Sequence, residues 1–221
     1  MSFNSFDVKS WFDFERELKA RIVNEIKGYS QDYLLNTDQA LITYKLKGEY
    51  TLIPISVNPD GQVSFSQFEL YKKPIALRNR DYNFSEWIDG MFETENFIRN
   101  KNDHYSRTLT KQAAVFIARY SFTGSPALLE IRPSTYKGVT YEIANNGDGT
   151  ISLSFDVYNY TQQDYTDAKN ISFNKAFGNL DYLNQDVTNW NNSLTDFINN
   201  AISQQKNKYI TDNNFLQSIE V

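Results

Sequence analysis

Leu180, Leu183, Val187, Trp190, Leu194, Phe197 and Ala201 recur at spacings of 3, 4, 3, 4, 3 and 4. A seam of this kind draws one narrow apolar stripe along a helix, the pattern by which a helix packs lengthwise on another. Its helical region starts at Thr161, is interrupted near Gly178 and runs to about Lys208. Near the other end, Trp11, Phe14, Leu18, Ile22 and Ile26 mark one face of a helix capped by Asp7 or Ser10 and stopped by Gly28. Thr37 to Leu46 predicts a shorter helix, with Thr37 as cap and Gly48 as stop.

The middle of the chain changes period. Tyr50–Val57 and a return strand carrying Val63, Phe65 and Phe68 flank the turn Asn58-Pro59-Asp60-Gly61, and Lys72-Lys73-Pro74 ends that hairpin. A short helix is expected around Phe84–Phe97 and a polar loop over Asn100–Thr108. Strands follow at Ala113–Phe122, Leu128–Arg132, Val139–Ala144 and Ile151–Tyr158, joined by turns such as Asn145-Asn146-Gly147-Asp148-Gly149. In the last strand Ile151, Leu153, Phe155 and Val157 alternate with Ser152, Ser154, Asp156 and Tyr158, the period of a half-buried antiparallel strand. The fold expected is α+β: an antiparallel meander packed with N-terminal helices and a long heptad-bearing C-terminal helix. One domain over residues 1–221 is expected, with sub-parts 1–75, 76–160 and 161–221.

Composition narrows the class. The 221 residues are 40% hydrophobic and 15% aromatic, enough for a buried core and too apolar for a disordered chain. A net charge of -5 gives no global field for nucleic acid. Cysteine is absent, so disulfides and thiolate metal sites are excluded. The first ten residues lack the basic start and apolar centre of an export signal, and no apolar run approaches a membrane span. A cytoplasmic protein without membrane attachment is expected.

Chemistry leaves few traces. His104 is the single histidine, in the polar run Asn102-Asp103-His104-Tyr105, with no second ligand or nucleophile at a working spacing. Phosphate-cradling glycine motifs do not occur. Asn145–Thr150 carries oxygen-bearing side chains but lacks the twelve-residue spread of a calcium loop. Glu130-Ile131-Arg132 is the nearest approach to a metal-dependent nuclease strand, with arginine where a tunable lysine is needed. No cofactor is implied. Arg99, Lys101, Arg107, Lys111 and Arg119 face only Asp103 over residues 99–119, with Tyr105, Phe116 and Tyr120 interleaved, a pattern able to contact nucleic acid.

The run Ala118-Arg119-Tyr120-Ser121-Phe122-Thr123-Gly124-Ser125-Pro126-Ala127-Leu128-Leu129-Glu130-Ile131-Arg132-Pro133-Ser134, with Asp181-Tyr182-Leu183, Asp186-Val187 and Asn191-Asn192-Ser193-Leu194, resembles a poorly characterised group of bacterial proteins. Asp32-Tyr33-Leu34-Leu35-Asn36-Thr37-Asp38 and Lys206–Leu216 extend the likeness. In that group such a region precedes a restriction-endonuclease-like domain in an anti-phage defence setting. The resemblance implies an accessory module, and it carries no cleavage residue onto this chain.

The function expected is a non-enzymatic interaction, sensing or assembly module, acting by self-association or on a protein partner. The seam residues Leu180, Leu183, Val187, Trp190, Leu194 and Phe197 serve either as that interface or as an internal helix pair. Asn184, Asn191, Asn192 and Asn199 beside them are suited to fixing register. An aromatic-basic face of the sheet is the second candidate surface. A structural protein of a phage-like particle and a cryptic metal-dependent nuclease using Glu130 and Asp156 are the alternatives.

Overall fold

The computed structural model describes residues 2–78, 93–99 and 104–219, and the side chains of these outside 72–111. In chain order the elements are β1 (Ser2–Asn4), β2 (Lys9–Ser10), α1 (Trp11–Gly28), α2 (Gln31–Asn36), α3 (Gln39–Tyr50), β3 (Ser56–Val57), β4 (Gln62–Arg78), β5 (Glu93–Arg99), β6 (His104–Thr123), β7 (Ile131–Arg132), β8 (Glu142–Asn145), β9 (Thr150–Val157), α4 (Gln162–Phe177) and α5 (Leu180–Ile219). The fold is α+β, as the two periods require. The chain divides into two compact units of interleaved segments. One unit holds Met1–Asn58, Phe122–Glu142 and Lys175–Val221; the other holds Pro59–Ser121 and Ile143–Asn174.

The first unit is helical. Ser10 caps α1, its hydroxyl accepting from the Asp13 N–H at 3.1 Å, and Trp11, Leu18, Ile22 and Ile26 are buried. On α5 the seam is buried within the chain at Leu183, Val187, Trp190, Leu194, Ile198 and Ile202, with α1, α2 and α3 packed along it. Leu180 and Phe197 are only half-buried at its margins, and the Lys19 ammonium lies 5.7 Å from the centre of the Phe197 ring. Helix α3 starts one residue later than Thr37 suggested, because the Asp38 carboxylate accepts from the Ala40 N–H at 2.9 Å. It also passes through Gly48 to Tyr50, tertiary packing outweighing a helix penalty of about 1 kcal/mol for glycine. The expected interruption near Gly178 is present, whereas α5 extends eleven residues beyond Lys208.

The segment after α3 corrects the expected hairpin. Residues 51–55 have no strand beside them; Ile53 pairs with Ser125, whose N–H donates to its carbonyl at 3.0 Å and whose hydroxyl accepts from its N–H at 3.2 Å, and Leu52 and Ile55 pair with side chains of α5. Asn184 donates from Nδ2 to the Ile55 carbonyl at 2.8 Å and accepts from the Ile55 N–H at 2.9 Å. Asn191 forms the same pair of bonds with Leu52, and Trp190 Nε1 donates to the Tyr50 carbonyl at 2.9 Å. The spacing explains the match: seven helical residues rise about 10.5 Å, and three extended residues span about 10 Å. Asn199 accepts from Thr43 Oγ1 at 2.7 Å, fixing α3 on the same helix. Farther along, the buried Asp186 carboxylate takes the N–H and hydroxyl of Ser134 at 2.7 and 2.6 Å, which docks the Arg132-Pro133-Ser134 turn.

In the second unit β6 is central. One of its edges takes β4 along residues 104–119; the other takes β9 over 114–121 and β5 over 105–110, all antiparallel. Strand β4 thus runs past Lys72-Lys73-Pro74 to Arg78 and pairs with β6, not with residues 50–57. Residues 93–97, expected as the end of a helix, form β5, and 104–108 of the expected loop open β6; residues 84–92 and 100–103 lie outside the described residues. The β8–β9 turn has Gly147 and Gly149 at φ of 79° and 77°, as its Asn-Gly and Asp-Gly steps predict. In β9 Ile151, Leu153, Phe155 and Val157 are buried, as the alternation predicts. Leu128–Glu130 belongs to a 3-10 turn over Pro126–Glu130, so the strand expected there is confined to β7.

Candidate functional site

A β-bulge shapes the most conspicuous surface of the sheet unit. Phe65 stands opposite Phe116, and Phe116 opposite Phe155; between Phe65 and Gln67 the register shifts by one residue. Without the shift, residues 65 and 68 would point to opposite faces, since side chains alternate along a strand. With it, Phe68 pairs with Ala114 and lies on the face of Phe65.

Helix α4 covers only part of this face. Thr161 caps it, its hydroxyl accepting from the Asp164 N–H at 3.1 Å, so the helix begins beside Val157. Tyr165 then packs on Phe116 and Phe155 with ring centres 5.1 and 5.7 Å away, and Phe173 meets Tyr120 at 5.0 Å. Helix α4 stops short of β4. Phe65 and Phe68 therefore remain 51% and 60% exposed, 5.0 Å apart, with Phe65 edge-on to Phe116 at 5.8 Å.

Tyr160 closes the rim. It occupies the left-handed backbone region at φ 52°, where a non-glycine residue is strained by about 1–2 kcal/mol. Its hydroxyl donates to the Gln112 carbonyl at 3.2 Å and its ring meets Phe68 edge-on at 6.0 Å. The result is a cleft of about 480 Å³, floored by Ala114 and Val157 and walled by Phe65, Phe68, Phe116, Tyr160 and Tyr165. Its polar groups are Gln112, Thr161, Gln162 and the hydroxyls of Tyr160 and Tyr165, and none of the described lining residues is of an acidic or basic type. The volume lies within the range of small-ligand sites, which are mostly apolar with a few placed polar groups. The cleft can bind and orient; its described lining holds no nucleophile–base pair.

On the opposite face Ala113, Val115 and Ile117 of β6 lie between polar residues of β4 and β9, among them Gln67, Glu69, Ser154 and Asp156. Asp156 accepts from Tyr158 at 3.3 Å, and the Tyr71 phenol is held well above its ordinary range by burial and by its bond to Asp156. On the hairpin tip the Arg119 guanidinium pairs with Asp148 and donates to Thr150 at 2.8 Å.

The nominated residues fall in different places. Leu183, Val187, Trp190 and Leu194 are core of the helical unit, and Leu180 and Phe197 flank them. Of the basic set, Arg119 is engaged by Asp148; Arg99, Arg107 and Lys111 occupy register positions opposite Tyr105, Phe97 and Tyr71, and Lys101 lies outside the described residues. His104 opens β6 opposite Arg78. Arg132 lies 3.5 Å from Asp7, while Glu130 and Asp156 belong to separate units. The oxygens of the Asn145–Thr150 turn are used internally: Asn145 accepts from the Gly147 N–H and Asp148 from the Thr150 N–H. Among the described residues no three histidine, aspartate or glutamate side chains form a group able to hold a metal, and no helix is long and apolar enough to cross a membrane.

Sequence reasoning does not single out the cleft. Its one signal is Phe65-x-x-Phe68 inside a strand, a spacing of three that shares a face only across a bulge. No family model matches the chain, and no match is found among curated proteins or solved structures.

Proposed function

We propose that this chain is a non-enzymatic interaction module whose recognition surface is the aromatic cleft, with the helical unit serving as scaffold. The supporting observation is the exposure of Phe65 and Phe68 next to a strained Tyr160, in a cleft with aromatic walls. Aromatic side chains left half in water at a concave site favour association, because binding removes their surface from water. On this reading the module is an accessory part of a bacterial defence system, the setting implied by the resemblance of residues 118–134.

The test is a photo-crosslinking amino acid at position 68, with the same group at Tyr44, an 81% exposed helical position, as control. Position 68 should yield a dominant covalent adduct in cells that is absent from position 44. Equal labelling from both, or none from position 68, sinks the reading.

Self-association is a second reading, supported at a different place from the seam. Phe215, Leu216 and Ile219, on one side of α5, are 62%, 52% and 60% exposed. Solution mass by light scattering, with Phe215 and Leu216 both changed to Glu, decides it: a mass that falls to one protomer supports the reading, and a protomer mass in the unaltered chain ends it.

A further inference from the structure

We infer that the end of α5 pairs antiparallel with the same segment of a second copy of this chain, each helix end filling a groove between α1 and α5 of the other. This rests on the reading of Phe215, Leu216 and Ile219 as a self-association face, and it names the surface that receives them.

The helix end and the groove belong to the same helical unit. At Tyr209 α5 is still tied to that unit, its hydroxyl donating to the Tyr29 carbonyl at 3.1 Å. The helix then continues over Ile210–Ile219, where every residue but Asn213 is exposed. Helices in proteins are stabilised mainly by packing an apolar face, and here Phe215, Leu216 and Ile219 stand in water. Just upstream a groove of about 200 Å³ opens beside the same helix. Val23 and Lys27 of α1 line one side, and Ala201, Gln204, Gln205 and Lys208 of α5 line the other. It is smaller than the roughly 300–1,000 Å³ of small-ligand sites and suits a few protruding side chains.

Both features lie on one stripe. Ala201, Gln205, Lys208, Asp212, Phe215 and Ile219 recur at spacings of 4, 3, 4, 3 and 4, with Gln204 and Leu216 along the edges. The stripe takes over where the buried seam of α5 ends at Ile202. It is also symmetric about the level of Ile210. A two-fold axis there sets Ala201 opposite the partner's Ile219, Gln204 opposite the partner's Leu216 and Gln205 opposite the partner's Phe215. Lys208 then meets the partner's Asp212. A patch that is its own complement is what a two-fold dimer requires, so the occupant is a second copy.

Charge selects the direction and the register. Asp212 is the single charged residue of Tyr209–Ile219, and the charged residues of the groove lining are Lys27 and Lys208. The two-fold axis brings that carboxylate to those ammonium groups. Parallel pairing would set Asp212 beside the partner's Asp212 and Lys208 beside the partner's Lys208, which like charges oppose. An antiparallel register half a heptad along would set Asp212 against the partner's Phe215 and Lys208 against the partner's Ile219.

The experiment is light scattering on the full chain over a concentration series reaching about 1 mM, where even a weak interface associates. A dimer is expected. Lys208→Glu should weaken it about tenfold or more by opposing like charges on both sides of the axis. Combining Lys208→Glu with Asp212→Lys should restore it, and native circular dichroism checks that each variant folds. The chain has no cysteine, so introduced ones report the register. Ala201→Cys mixed with Ile219→Cys should oxidise to a disulfide between the two variants. Ile219→Cys alone should not, because eighteen helical residues separate its two copies from contact by about 27 Å. A dimer that crosslinks through Ile219→Cys alone, or that Lys208→Glu leaves unchanged, overturns the antiparallel pairing and leaves self-association standing. A protomer mass at every concentration overturns both, and the crosslinking at position 68 then decides the reading of the cleft on its own.

Discussion

Asn191 and Leu52 are joined by two hydrogen bonds that imitate a strand pair: Asn191 Nδ2 donates to the Leu52 carbonyl at 2.8 Å, and Leu52 N–H donates back to Oδ1 at 3.0 Å. A helix side chain thus does for an extended segment what a neighbouring strand would otherwise do. Asparagine is suited to it because its amide offers one donor edge and one acceptor edge, as a peptide group does.

Changing Asn191 to Asp keeps the shape and removes the donor, setting a carboxylate oxygen against the Leu52 carbonyl. A loss of about 1–3 kcal/mol is expected from the broken bond and the acceptor left facing an acceptor. Urea denaturation measures it, with the m-value unchanged. A cost under about 0.5 kcal/mol would mean the strap contributes little.

Leu194 is fully buried on the seam. Leu194→Ala should cost about 2–5 kcal/mol through lost burial and a residual cavity, with no change in solution mass. A fall in mass without a fall in urea midpoint would instead identify the seam as a contact between copies.

Glu25 provides a pH handle. Burial raises its pKa, but hydrogen bonds from Tyr29 at 2.8 Å, Tyr50 at 3.1 Å and Lys45 at 3.4 Å outweigh that and hold it below the usual carboxylate range. Since the folded value lies below the unfolded one, the stabilisation is complete above the unfolded pKa, about 4.3, and is lost as pH falls through the folded value. Glu25→Gln should therefore be less stable than the parent at pH 7, and the gap should close on acidification. A gap that stays constant from pH 7 down to about pH 2 would refute the assignment.

At Gly61 a side chain has nowhere to go. A Cβ there would overlap the Tyr120 ring and lie 3.0 Å from the Arg119 carbonyl. Tyr120 is itself fully buried and braced by Phe173, so it cannot swing aside. Gly61→Ala should lower stability by about 1–3 kcal/mol, read from the thermal midpoint. Gly48→Ala, at an open helical position, should raise it by up to about 1 kcal/mol and serves as the paired control.

Periodicity reaches what repeats regularly. The stripes of α1 and α5 and the alternation of β9 are legible because one face of each is buried, on α5 from Leu183 to Ile202. Residues 50–57 look like a strand because extended backbone and β-branched residues do not reveal their partner; the asparagines that pair with them lie some 130 residues away. Residues 93–97 carry no clear period of their own, and β5 takes its strand geometry from β6. The cleft is hidden by the Ser66 bulge, since a single extra residue reverses which faces later residues occupy.

The interleaving of the two units bears on how the chain acquires its shape during synthesis. The stripe on α1 emerges from the ribosome early, yet the α5 residues that cover it lie more than 150 positions later. Until then Leu18, Ile22 and Ile26 have no lasting shelter, and closing so long a loop makes maturation slow and open to misassembly. The sheet unit has its own segments complete by residue 174, so it can settle while the helical unit still waits for its last piece.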